Sequence, residues 1–356
     1  MRIALTVHAL QGGGAERVLA RLAERWSTAG HDVHLITWSA VDTDQIPVPP
    51  AVVRHGFGLL RSSANLWQGL WANAHRIRAL RRKLRELQPD LVLSFCDQMN
   101  ISTLQAARGL KLPVWIAEHS DPSRQRLGHA WEWWRRRTYP RCTGCVALTS
   151  EIADHLAQWV PRTRLTVIPN AVDAAQNESV EPTSKRSSLL SVGRLSHEKG
   201  IDQLLHAWRL VHAQLPDWDL CIVGDGAQRS SLERQAAELP RVHFAGWMSD
   251  TAPAYRSATI FVLPSRYEGF PVALLEAMSH GLTCLATRCS QAVEELSCGG
   301  EAVRVVPIES PESLARALIE MSADPQRCQR MGAAARRVSS YYSWNRIGPL
   351  WDRLLQ

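Results

Sequence analysis

Short apolar, β-branched runs recur along the chain, separated by longer stretches in which apolar residues return every three or four positions. The runs at residues 3–7, 33–37, 91–95, 114–117, 145–148 and 165–168 read as one set of strands, and those at 189–192, 220–223, 242–244, 259–263, 283–286 and 302–305 as a second. Alternation of such strands with helical stretches argues for parallel sheets covered by helices on both faces. The pattern predicts an α/β fold of two doubly wound, Rossmann-like domains, 1–173 and 189–342, facing a cleft. Residues 174–188, AAQNESVEPTSKRSS, are polar and without period, and read as the linker. Residues 343–356 return to helical spacing and are expected to pack back on the first domain.

A chain of 356 residues has room for two such cores. The longest run without Lys, Arg, Asp or Glu, residues 62–75, is fourteen long and includes Ser, Asn, Gln and His, whereas a helical membrane span needs ~20 apolar residues. No integral membrane helix is expected. The first apolar run is broken by His8 and followed by a glycine-rich turn, so it reads as a strand and not as a signal peptide. Eight irregularly spaced cysteines suit the reduced thiols of a cytoplasmic protein, and Cys142-Thr-Gly-Cys145 lacks the second ligand pair of a zinc site. Charge is uneven: residues 1–172 carry a net +9 and residues 173–356 a net −2. The first half is therefore expected to meet an anion, whether nucleic acid, lipid headgroup or phosphorylated substrate.

In doubly wound sheets the chemistry lies in the loops after the strands. After the first strand comes Gln11-Gly12-Gly13-Gly14-Ala15-Glu16, whose glycines allow either a tight turn or a backbone cradle for an anion at a helix start. The second domain opens with Gly193-Arg194 and runs on to Lys199-Gly200, placing two cations on one post-strand loop, as a diphosphate site requires. Farther on, Glu268 falls in a loop and Glu276 in the helix begun by Pro271, a pair of carboxylates that could read the hydroxyls of a polyol. Asp42-Thr-Asp44 and Asp217-Trp-Asp219 have the spacing of metal-binding acidic pairs, but the former lies in a loop after the second strand and the latter merely precedes a strand, so neither is read as a metal site.

In order along the chain, the GGGAER loop, Glu118-His119-Ser120, VIPNAVD at 167–173, GRLSHEKG at 193–200, IVGDG at 222–226, FAGW at 244–247 and PSRYEGFPVALLEAMSHG at 264–281 resemble the retaining GT-B glycosyltransferases of family GT4. The resemblance covers nearly the full length. It implies an acceptor-binding first domain and a nucleotide-sugar-binding second domain. Arg194 and Lys199 then match the donor diphosphate ligands, with Gly193 in their loop, Glu276 the ribose ligand and Glu268 the donor-sugar contact. Gly269, Phe270, Pro271 and Val272 match the sugar and phosphate loop, Gly13 and Gly14 the loop closing over the phosphates, and Gly246 and Trp247 the border of the base. His119 matches a histidine that approaches the donor sugar, completing a catalytic set with Glu268, Arg194 and Lys199. The resemblance implies transfer of a hexose or N-acetylhexosamine from a UDP-linked donor, with GDP-mannose as the alternative and no metal cofactor. Fixed cations and helix N-termini would then stabilise the departing diphosphate in place of a metal.

The segment 65–88 adds an acceptor side. At ~100° per residue, Leu70, Ile77, Leu80, Leu84 and Leu87 gather on one face, with Trp67 and Trp71 in line with Arg78, Arg81, Arg82 and Arg85 on the other. Indoles beside a guanidinium ridge suit a membrane interface or the pyrophosphate of a polyprenyl-linked glycan, so the protein is expected on the inner face of the cell membrane, peripherally, with Glu16 also on the acceptor side. Residues 124–141 repeat the chemistry with Trp131, Trp133 and Trp134, at least one of which is expected in the core. No nucleic-acid motif accompanies either stretch, so no nucleic-acid partner is expected. The competing readings are a soluble acceptor, a GT-B phosphorylase or epimerase, and a noncatalytic nucleotide- or lipid-binding protein.

Overall fold

The computed structural model describes residues 1–60, 66–125, 127–173 and 187–356, with the backbone alone for residues 66–68 and 70. It divides into two units, Met1–Pro169 with Leu350–Gln356, and Asn170–Pro349.

The first unit contains β1 (Arg2–Val7), α1 (Gly14–Thr28), β2 (Asp32–Thr37), β3 (Val53–Gly56), α2 (Leu66–Leu87), β4 (Leu91–Phe95), α3 (Asp97–Ala106), β5 (Val114–Glu118), α4 (His129–Thr138), β6 (Gly144–Ala147), α5 (Ser150–Leu156) and β7 (Leu165–Val167). Its strands are parallel in the order β3-β2-β1-β4-β5-β6-β7, one more than the sequence pattern indicates. The additional strand is β3, Val-Arg-His-Gly, a sheet edge with no fully buried residue and hence no apolar run to betray it. The strand order reverses between β1 and β4, which puts the loops after these two strands beside the switch point. Helix α3 packs against both α2 and α4, as the right-handed rule for parallel crossovers, which puts successive helices on one face of the sheet, requires.

The second unit contains β8 (Ser187–Val192), α6 (Ile201–Val211), β9 (Trp218–Val223), α7 (Arg229–Ala236), β10 (Val242–Gly246), α8 (Ala252–Ser257), β11 (Ile260–Leu263), α9 (Val272–Ser279), β12 (Thr283–Thr287), α10 (Gln291–Ser297), β13 (Val303–Val306), α11 (Pro311–Ser322) and α12 (Pro325–Ser339). Its six parallel strands run β10-β9-β8-β11-β12-β13, with the reversal between β8 and β11. One core face gathers Leu189, Leu220 and Val262 from the strands with Trp208 of α6 and Leu318 of α11.

Three boundaries differ from the sequence reading. Ser187 and Ser188 pair with Trp218 and Asp219 as the start of β8 and so are not linker, while residues 174–186 lie outside the described residues. Residues 170–173 group with the second unit, because Val172 N–H donates to the Tyr342 carbonyl at 2.9 Å and Val172 bridges to Ser343. The last helix, α13 (Trp344–Asp352), joins the first unit only from Leu350. There Trp351 is fully buried, and Asp352 accepts hydrogen bonds from the Arg25 guanidinium and, at 3.0 Å, from Trp26 Nε1.

Candidate active site

In the second unit, three post-strand loops meet backbone to backbone at the switch point. A Cβ on Gly200, whose φ is +62°, would lie 2.1 Å from the Pro264 carbonyl oxygen, and one on Gly224, φ +135°, would lie 1.9 Å from that of Gly193. Only glycine allows either approach. Gly193 N–H donates to Val223 O at 3.0 Å and Leu195 N–H to Asp225 O at 2.9 Å, so the loop after β8 is tied to the loop after β9. On its other side Arg266 N–H donates to Glu198 O, and the Arg266 guanidinium donates to the His197 carbonyl and to both oxygens of Asp202 at 2.7–2.9 Å.

This frame fixes Lys199 opposite Glu268. Lys199 Nζ donates to Glu268 Oε1 at 2.7 Å and Oε2 at 2.9 Å, and Ser265 Oγ donates to Oε1 at 2.7 Å. Glu268 is buried, yet its negative charge is matched. An ammonium has three donors and Glu268 takes two, which leaves one for a ligand. Arg194, five residues earlier on the same loop, is exposed and has no carboxylate partner among the described residues. The sequence puts both cations on one loop; the structure gives Lys199 a partner 69 residues away and leaves Arg194 facing solvent.

Pro271 precedes α9 in a non-helical conformation (φ −80°, ψ 87°) and makes no side-chain cap, so the first-turn N–H groups from Val272 onward keep the anion-attracting character of a helix start. Gly269 and the buried Phe270 lead into it, and Phe270 O accepts Asn170 Nδ2–H at 3.5 Å. Glu276 is the fifth residue of α9, and Tyr255 Oη donates to its Oε2 at 2.8 Å. Gly246, φ +76°, ends β10, accepts from Gly224 N–H at 2.7 Å, and is followed by the exposed Trp247.

In the first unit the glycine loop follows β1 at the switch point, and Gly14 opens α1 with Gly13 as its cap. Glu16, placed by sequence on the acceptor side, turns back: its carboxylate accepts Gly13 N–H at 3.2 Å and also Gln11 N–H. The loop amides thus already hold an anionic group of their own chain. His8, at the end of β1, is held neutral, its imidazole pushed down to about 4 by burial and by Arg76. Burial pushes His119 down to about 3; both its ring nitrogens lack partners among the described residues, and the ring lies 4.3 Å from Phe95.

Beside His119, Glu118 points into the layer between sheet and helices. It accepts Tyr139 Oη–H at 2.6 Å, and burial lifts its carboxyl to about 7 against the pull of Arg135. Arg135, fully buried, reaches Glu132 at 3.3 Å and stacks over Tyr139 and Trp159. This overturns the expectation of a core tryptophan on α4: Trp131 is half-buried and Trp133 and Trp134 are exposed, because the inward position belongs to the arginine that answers Glu118.

Helix α2 buries Leu80, Leu84 and Leu87 and exposes Trp71, His75, Arg78, Arg82 and Arg85, a single stripe at i, i+4, i+7, i+11 and i+14. Arg81 leaves the ridge expected from sequence: its guanidinium donates to the carbonyls of Ala106 and Arg108 at 2.8 and 2.6 Å, at the end of α3. The side chain of Trp67 lies outside the described residues. Trp71 is 71% exposed. No helix among the described residues is long and apolar enough to cross a membrane, and no three His, Cys, Asp or Glu among them gather as a metal-holding group. Asp44 of the first acidic pair is instead bound by Arg54 at 2.7 Å.

Sequence reasoning passed over Ser265, Tyr255 and Arg135. The first two touch the site carboxylates through hydroxyls that look ordinary in a linear chain. A buried arginine is visible only once Glu118 is known to face inward.

Residues 12–176 match the family model described as glycosyltransferase family 4, and residues 186–324 that described as glycosyl transferases group 1. The chain is 28% identical over 286 residues, 78% of its own length and 77% of the relative's, to the GalNAc-alpha-(1->4)-GalNAc-alpha-(1->3)-diNAcBac-PP-undecaprenol alpha-1,4-N-acetyl-D-galactosaminyltransferase of Campylobacter jejuni. Among solved structures it is similar to sucrose-phosphate synthase from Thermosynechococcus elongatus, with a TM-score of 0.84 at 19% identity and 99% of each chain covered. It is also similar to Anabaena Alr3699/HepE in complex with UDP and glucose, with a TM-score of 0.80 at 17% identity and 99% of each chain covered. Two parallel-sheet units of this topology, structural neighbours with the GT-B fold and two family models that together span most of the sequence lead to one assignment: the chain belongs to the family 4 glycosyltransferases.

Proposed function

We propose that the protein is a retaining, metal-independent glycosyltransferase that moves a hexose or N-acetylhexosamine from a UDP-linked donor to a polyprenyl-diphosphate-linked glycan. The observation that carries this reading is the Lys199–Glu268–Ser265 cluster at the switch point of the second unit. Departure of a nucleoside diphosphate leaves negative charge on the β-phosphate, which the remaining N–H of Lys199, the exposed guanidinium of Arg194 and the start of α9 are suited to neutralise. Glu268, fixed by two donors, presents a carboxylate to sugar hydroxyls. His119, matched by resemblance to the donor sugar, offers a neutral ring with unsatisfied nitrogens. The UDP and glucose bound by the Anabaena protein support the donor, and the undecaprenol-linked substrate in the name of the Campylobacter relative supports the acceptor.

The acceptor side is assigned to the exposed stripe of α2, with α4 as a second contact. Both helices lie on the same face as α3, and together they expose Trp71, Trp133 and Trp134 beside Arg78, Arg82, Arg85 and Arg137. Each cation near an anionic surface contributes ~1 kcal/mol, enough in sum for reversible, salt-sensitive peripheral binding at the inner face of the cell membrane. Changing Arg78, Arg82 and Arg85 together to Gln is expected to abolish flotation with anionic liposomes and to slow transfer to a lipid-diphosphate acceptor while sparing donor hydrolysis. Arg81→Gln, which loses only the carbonyl contacts to the end of α3, is expected to float normally. Flotation and transfer by the triple variant at parental levels would show that the acceptor is bound elsewhere.

A further inference from the structure

The carboxylate of Glu276 does not stand alone. Tyr255, on α8, is buried, with its ring between Phe261, 5.9 Å away and tilted, and His280, stacked at 5.4 Å. Its hydroxyl lies 2.8 Å from Glu276 Oε2 and 3.3 Å from the Ala273 carbonyl. A phenol has one proton to give, and the shorter approach, to an ionised acceptor, is the stronger bond. A carboxylate on a free side chain spreads over several rotamers and loses that freedom each time it accepts a hydrogen bond from a ligand. One held by a buried, ring-clamped hydroxyl has already lost it.

We propose that Tyr255 is a positioning residue that fixes Glu276 for recognition of the donor's ribose, and that the protein's preference for ribonucleotides over deoxyribonucleotides depends on this phenolic hydroxyl. The inference builds on the assignment of Glu276 as the ribose ligand. Tyr255 itself touches no substrate. It also links α8, which follows the exposed Trp247, to the carboxylate on α9, so the part of the unit assigned to the base and the part assigned to the sugar of the nucleotide share a partly buried contact.

The test is equilibrium binding of UDP, GDP and ADP, each against its 2′-deoxy form, to the parent, Tyr255→Phe and Glu276→Ala. The parent should bind the best ribonucleotide roughly tenfold more tightly than its deoxy form, the worth of one hydrogen bond to a charged group. Glu276→Ala should bind the two alike. Tyr255→Phe keeps both ring contacts and should fold, with a Tm checked by thermal unfolding; its ratio should fall to about two- or threefold, with deoxynucleotide affinity unchanged. A parental ratio in Tyr255→Phe alongside lost discrimination in Glu276→Ala would overturn the role of Tyr255 and leave the site assignment standing. Equal weakening of both nucleotide forms in Tyr255→Phe would make the contact structural and would equally overturn it. Retained discrimination in Glu276→Ala, or no binding of any nucleotide by the parent, would remove the assignment of Glu276 and the inference with it.

Discussion

Lys199→Ala lowers nucleoside diphosphate release from the donor at least about a hundredfold, the largest single effect expected from this site. Two losses coincide. The ammonium assigned to the leaving group is gone, and among the described residues buried Glu268 keeps only Ser265 as a side-chain donor. The second loss also costs stability, because breaking one side of a substantially buried pair leaves a charge without a partner. The double variant Lys199→Ala/Glu268→Gln separates the two. Neutralising the glutamate should restore most of the thermal stability and none of the turnover. If Lys199→Ala turns over at close to the parental rate, the lysine has no part in the chemistry.

A second large effect is expected far from the donor loops. Arg135→Met removes the cation facing Glu118, Glu132 and Asp97 and should cost ~3–5 kcal/mol of stability at pH 8. At pH 5 the loss should be smaller by ~1 kcal/mol, since Glu118 already sits at about 7 in the parent and each further pH unit is worth ~1.4 kcal/mol. In the folded chain, burial, opposed by Arg135 and the Tyr139 hydroxyl and assisted by the charge of Asp97, lifts the Glu118 carboxyl from an ordinary 4.5 to about 7. Between those values the folded state holds the proton more tightly than the unfolded state, so Glu118 makes stability fall as pH rises, with the full penalty present above pH 7. Without Arg135 the folded value climbs further, and the penalty grows on the alkaline side alone. His8 and His119 act oppositely, destabilising the fold as pH drops below 6.5, but they do so equally in parent and variant and cancel in the difference. Chemical denaturation at the two pH values checks this; the same loss at both would mean that Arg135 acts through packing and not through charge.

The fold was legible in the sequence where strands are buried on both faces. β4, Leu-Val-Leu-Ser-Phe, has no exposed residue and appears as an uninterrupted run, whereas β3 sits at an edge and carries Arg54 and His55. The candidate site was legible as motifs but not as partnerships. Arg194 and Lys199 lie five residues apart on one loop, yet the contact that defines Lys199 is with Glu268, and Gly200 lets the loop after β8 press against Pro264. Helical periodicity located the exposed face of α2 and still counted Arg81 on it, since a long side chain near the edge of a stripe reaches whichever carbonyls the next helix leaves open. On α4 ordinary burial preferences point the wrong way, and a buried carboxylate at the end of β5 reverses them.

Fixed cations of the second unit are proposed to carry out sugar transfer in place of a metal, with the configuration of the sugar preserved. The direct measurement is NMR of the product formed from purified protein, a panel of UDP-hexoses, UDP-N-acetylhexosamines and GDP-mannose, and a polyprenyl-diphosphate-linked glycan, all in excess EDTA. The expected result is transfer at the full rate, a new glycosidic bond with the anomeric configuration of the donor, and loss of that product in Lys199→Ala. Transfer only after Mn²⁺ or Mg²⁺ is restored, or a product of inverted configuration, would contradict it.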